Sequence, residues 1–156
     1  MNPGELLILN LEEIRRRSIK LWQGIPADKL YWKPDAQVMS CIETVRHVLE
    51  ADWSYMQMLQ IGGSRDSEET PFTGQPYVSV QAEIEFSKPY RQALLQLVGS
   101  YTVEDLAAKK VDRSDRGYIR SFGDFLLRIG YHEAVHTGQL LDYLRTMDVL
   151  RPLMWD

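Results

Sequence analysis

Apolar residues recur every three or four positions along four long stretches of this chain, the spacing that lines one face of an α-helix. The first stretch carries Leu6, Leu9, Ile14 and Leu21 and ends near residue 23, where Gly24 and Pro26 stop it. Its start is set by Asn2 as N-cap, Pro3 in the first helical position and Glu5, which can return a bond to the cap. A second helix opens at the capping box Ser40-Cys41-Ile42-Glu43 and runs to about residue 61, where Gly62-Gly63 supplies a left-handed stop. Its strongest stripe is Ile42, Val45, Leu49, Trp53 and Met56. The third helix covers about residues 80–98, with Ile84, Leu94, Leu95 and Val98 inward, Gly99 as its stop and Pro89 expected to bend it. The last begins at Ser121, with Asp124 completing a box-like cap, and places Phe122, Phe125, Leu126, Ile129, His132, His136, Leu140, Leu144 and Met147 on one stripe.

The connections complete the architecture. Residues 25–39 hold Tyr31-Trp32-Lys33-Pro34, a semi-rigid loop whose aromatics either cap the end of the core or, for Trp32, line a ligand pocket. Residues 64–80 are polar, without period and too many for a tight hairpin, but enough to cross the length of a bundle, so the second and third helices can run parallel. Residues 100–120 form another long connection, with a turn at Asp115-Arg116-Gly117 and a brief hairpin between Val111 and Tyr118-Ile119. The pattern predicts an all-α bundle of four helices in one domain spanning residues 1–156.

Composition narrows the function classes. A net charge of −4 and a pI near 5.4 exclude the concentrated basic surface that nucleic acid requires. The single basic run, Arg15-Arg16-Arg17, spreads around a helix and reads as a solvated face. No apolar run is long enough to span a membrane, and the run from Leu6 to Leu9 precedes its arginines, the reverse of a secretory signal. The lone Cys41 excludes an intramolecular disulfide and reads as a buried thiol. These features predict a cytoplasmic protein.

The chemistry concentrates in Tyr131-His132-Glu133-Ala134-Val135-His136-Thr137-Gly138-Gln139, which holds two of the three histidines. Residues four apart on a helix are separated by about 40° and about 6 Å, the spacing of two ligands to one metal ion. The third, His47, lies off the main stripe of its helix, in a lane with Ser40, Thr44, Ala51 and Met58, small enough on the whole for another helix to approach. Two readings remain open on the residues alone: satisfied core histidines, or a three-histidine site with an open position, the catalytic rather than the structural arrangement. The string His-Glu-Ala-Val-His also matches the zinc-protease signature, but no histidine or glutamate follows His136 to serve as third ligand. Glu133 and Gln139 are then placed beside the site, where they could orient a ligand or substrate.

Ile25-Pro26, Trp32-Lys33-Pro34, Ser40, Glu43 and His47, with Tyr131-His132-Glu133, His136, Gly138, Gln139 and Leu144-Arg145, make nearly the whole chain resemble the DinB-like family, which includes thiol-dependent transferases. Members typically carry His-Glu-Ala-His-His-Arg-Gly-Gln in the last helix; here Val135 and Thr137 replace the middle histidine and the arginine. The resemblance implies a four-helix bundle in up-down-down-up order with the long crossover between helices 2 and 3. It also implies a divalent metal, nickel or zinc with iron possible, held by His47, His132 and His136, and a homodimer. By the same resemblance the expected partners are a small-molecule substrate and a low-molecular-weight thiol, without nucleic acid or membrane. The implied activity is a metal-dependent transfer to a thiol in detoxification or stress response, with a metal-dependent hydrolase or a non-catalytic metal- or ligand-binding bundle as alternatives.

Overall fold

A computed structural model describes residues 1–155. Four long helices carry the fold: α1 (Pro3–Gln23), α2 (Cys41–Ile61), α3 (Val80–Gly99) and, after a short α4 (Val103–Ala108), α5 (Phe122–Thr146). Between α4 and α5 lies a hairpin of β1 (Lys110–Arg113) and β2 (Tyr118–Ser121), antiparallel, with Arg113 opposite Tyr118. Sequence reasoning found the hairpin and its turn, whose Gly117 adopts φ 83°, but missed α4. The missed signal is a capping box, Thr102 with Asp105, the device that marks α1 and α2.

Helix directions follow from which residues meet. On α2 and α3, Arg46 pairs with Glu83 and Asp52 with Arg91, so residue numbers rise together and the helices are parallel. On α1 and α5, Arg15 pairs with Glu133 and Ser18 meets Thr137, again parallel. By contrast His47 meets His136 and Tyr55 meets Phe125, so α2 and α5 are antiparallel. The order is therefore up-down-down-up, and the stretch between α2 and α3 must cross the bundle. That crossover is anchored along its length: Phe72 is buried against Phe86 and Tyr90, and Arg46 donates to the Gln75 and Pro76 carbonyls while lying over the Tyr77 ring.

The core divides into two apolar halves. One gathers Leu21, Trp22, Ile42, Val45, Leu140 and Leu144; the other gathers Leu11, Leu59, Leu94, Val98, Phe125 and Ile129. Between them, near the middle of each long helix, sits a charged layer. Arg15 donates from Nε and Nη2 to the two Glu133 oxygens at 2.8 and 3.0 Å and from Nη1 to Asp52 at 3.0 Å. Arg91 donates to the other Asp52 oxygen at 3.1 Å and to the Leu11 carbonyl at 2.6 Å. Two cations face two anions, so the layer is neutral, every carboxylate oxygen in it is bonded, and the arrangement ties all four helices to one register.

Four expectations need correction. Arg15 is 7 % exposed, so the basic run is not wholly a solvated face. On α1 it is Leu11, Arg15, Ser18 and Leu21 that turn inward, while Leu6 and Leu9 are exposed. On α2, Asp52 takes the inward place assigned to its neighbour Trp53, whose ring instead receives Arg65. The stop expected at Gly99 comes one residue later, at Ser100, which caps α3 in a right-handed conformation. Pro89 lies inside α3, where the sequence places it.

Candidate metal centre

Antiparallel packing of α2 on α5 brings the three histidines together. Their rings meet edge to face, with centroids 5.0 Å apart for His47 and His132, 4.9 Å for His47 and His136, and 4.7 Å for His132 and His136. One ligating nitrogen from each lies within 4.8 Å of the others. The Nε2 atoms of His47 and His132 are 3.0 Å apart, within the roughly 2.9–3.5 Å expected of two nitrogens that each lie about 2.1 Å from one ion. The donor set therefore fits a divalent transition metal. His47, off the main apolar stripe of α2, is turned to α5.

The third ring is oriented by a directed chain of hydrogen bonds. The Tyr143 hydroxyl donates to the Met39 carbonyl at 3.2 Å, and the Gln139 amide donates to the Tyr143 oxygen at 2.9 Å. The Gln139 carbonyl is then left to accept from His136 Nδ1 at 2.9 Å, which puts the proton on Nδ1 and leaves the Nε2 lone pair free. Trp32 packs edge-on against Tyr143 at 5.4 Å and joins the apolar half that holds Leu21 and Leu144, so it buttresses this chain; other residues line the cavities that reach His47.

Electrostatics favour neutral imidazoles, the form that ligates. Burial, then the His136 and His47 rings, then Arg128 push the His132 pKa down to about 4. Burial and the His136 ring also lower His47. Glu133 does not join the cluster through its carboxylate, which turns toward α1 and takes both of its bonds from Arg15. A metalloprotease needs that glutamate free to activate water, so the protease reading loses its base as well as its downstream ligand.

Two cavities reach His47. One, of about 300 Å³, also touches His132 and is walled by Tyr55, Arg65, Arg113 and Arg128. The other, of about 430 Å³, lies under the crossover beside Arg46, Phe72 and Tyr77. Glu50, one turn after His47, borders both. It accepts a bond from the Thr70 hydroxyl at 3.2 Å, and burial raises its pKa. Sequence reasoning passed over Glu50, although its separation of three from His47 places it on the same side of α2. Cys41 is fully buried, its thiol pushed up to about 11 by burial, and takes no part.

Comparison with known proteins agrees with this picture. Residues 10–140 match the family model of the DinB superfamily. The fold is similar to the crystal structure of a DinB-like protein, YjoA, from Bacillus subtilis, with a TM-score of 0.71 at 20% identity, covering 96% of this chain and 97% of that one. No curated protein matches the sequence. Among the described residues, no helix is long and apolar enough to cross a membrane.

Proposed function

The chain belongs to the DinB superfamily, and from that premise we propose that it is a metal-dependent enzyme that joins a small thiol to an electrophilic small molecule, in the manner of a detoxifying transferase. The observation that carries this reading is the meeting of two separate cavities at His47, one for each reactant of a two-substrate reaction. His47, His132 and His136 would hold the ion, nickel or zinc, with iron a further fit, since imidazole suits all three. When bound, the ion would supply a Lewis acid that lowers the pKa of a thiol.

The protein's own residues supply the rest. Gln139 and Tyr143 hold His136 in the ligating tautomer. Glu50 borders both cavities, and its partly buried carboxylate accepts the thiol proton. The sulfur electron pair forms the new C–S bond as the bond from that carbon to its leaving group breaks. The departing group takes the electron pair and then the proton from Glu50, so atoms and charge balance. Phe72 and Tyr77 offer the apolar half of the second cavity to the electrophile's carbon skeleton.

The test is a screen of small thiols against alkyl halides and epoxides with metal-loaded protein, read by the mass of the conjugate. Wild-type protein should form conjugate faster than the uncatalysed reaction. His47→Ala should abolish the excess, and Glu50→Gln should retain metal while losing about 10²-fold in turnover, a usual contribution of a general base. Conjugation unchanged in His47→Ala would overturn the mechanism.

A further inference from the structure

The cavity on the hairpin side has a cationic wall that the thiol reaction alone does not explain. Arg65 enters from the crossover, Arg113 from β1 and Arg128 from α5, residues far apart in sequence and all lining one space with His47 and His132. Among the described residues, none of the three makes a hydrogen bond to a carboxylate. Arg65 donates to the Ser54 hydroxyl at 2.8 Å and to the Glu69 backbone carbonyl, with its guanidinium over Trp53. Arg113 donates to the Met58 sulfur at 3.1 Å, and its buried Nε, without a hydrogen-bond partner, forms an ion pair with Asp115 at 3.6 Å. Arg128 lies 4.9 Å over the Tyr118 ring. Two carboxylates share the cavity, and of these Glu50 feels the Arg65 charge and offsets part of the wall, which three guanidinium groups leave net cationic. Glu68 is 95 % exposed at the lip, 3.7 Å from Arg116, and Glu50 is bonded to Thr70.

Guanidinium groups held mainly by aromatic rings and weak acceptors, with one long ion pair from Arg113 to Asp115, keep N–H donors for a ligand. Tyr55 adds a hydroxyl to the same lining. We propose that this cavity binds a small molecule bearing a carboxylate or phosphate, its oxyanion held by Arg65, Arg113 and Arg128 while its other end reaches His47 and His132. Resting on the reading given under Proposed function, this makes the thiol substrate an acidic one and leaves the second cavity to the electrophile.

Calorimetry on the full-length protein, as purified and again after chelation, tests the subsite apart from the chemistry. Succinate and inorganic phosphate are the anionic probes, and succinamide is the neutral match for succinate. At least one anion should bind about tenfold or more tighter than succinamide in both forms of the protein, and less tightly as salt is raised. Tighter succinate marks a carboxylate ligand, and tighter phosphate marks a phosphorylated one. Arg128→Gln, at an exposed position, should remove the preference, and Arg113→Lys should retain part of it. Equal binding of anions and succinamide overturns the subsite, as does anion affinity that vanishes on chelation yet survives Arg128→Gln. Because the chelated protein is included, failure of the conjugation assay with these results intact would count against the transferase reading and not against the subsite.

Discussion

Glu133 separates two accounts of the His-Glu-Ala-Val-His string, and Glu133→Gln tests them. In the native layer two arginines, Arg15 and Arg91, face two carboxylates, Asp52 and Glu133. The substitution leaves two cations against one anion. It also turns one acceptor of the bidentate pair into an amide that points N–H at N–H. Glu133 is 2 % exposed and Arg15 7 %, so water cannot restore the lost bonds. Breaking a buried pair of this kind costs about 3–5 kcal/mol, set against a total stability of roughly 5–15 kcal/mol for a domain. With a urea slope of about 2 kcal/mol/M, the unfolding midpoint of metal-free protein should fall by roughly 1.5–2.5 M at unchanged slope. Metal affinity of the folded variant should change little, because the carboxylate faces α1. A variant as stable as wild type that has lost metal or activity would refute this assignment and place Glu133 in the site chemistry.

Other outcomes follow from the same geometry. Gln139→Leu removes the acceptor that fixes the His136 tautomer and should weaken metal binding about 10–100-fold with little loss of fold, read by competition with a chromophoric chelator. For metal-free protein, the His132 pKa of about 4 lies below the ordinary histidine value of about 6.5. Between those values the unfolded chain takes up a proton that the folded chain refuses. Stability should therefore be complete above about pH 6.5 and fall as the pH drops toward 4, with His132→Gln flattening that slope.

Much of the fold was legible because local chemistry marks it. Capping boxes at Asn2 and Ser40, the left-handed Gly62 and the period of apolar positions set α1, α2 and α5. The length of the α2–α3 connection told the helix order, since a parallel pair needs a long crossover. The histidine pair was visible for the same reason, because i and i+4 share a helix face. What stayed hidden depends on contacts between elements. Nothing local to Arg15 distinguishes it from Arg16; only Glu133 and Asp52, 118 and 37 residues away, make it a core residue. Arg65, Arg113 and Arg128 become one wall only once the hairpin is laid across the end of α2, where Asp112 donates to the Gly62 carbonyl at 2.9 Å. Trp32 carried the right size for a pocket wall, but its partner Tyr143 decided its place.

The central claim is that His47, His132 and His136 form one metal site. Protein purified without a metal-affinity tag, reconstituted with nickel or zinc and freed of excess ion, should contain close to one equivalent per chain by elemental analysis. His47→Ala, which leaves the His132–His136 pair intact on α5, should lose that equivalent as fully as His132→Ala does. Wild-type protein without metal after reconstitution, or a His47→Ala variant that keeps a full equivalent, would contradict the account.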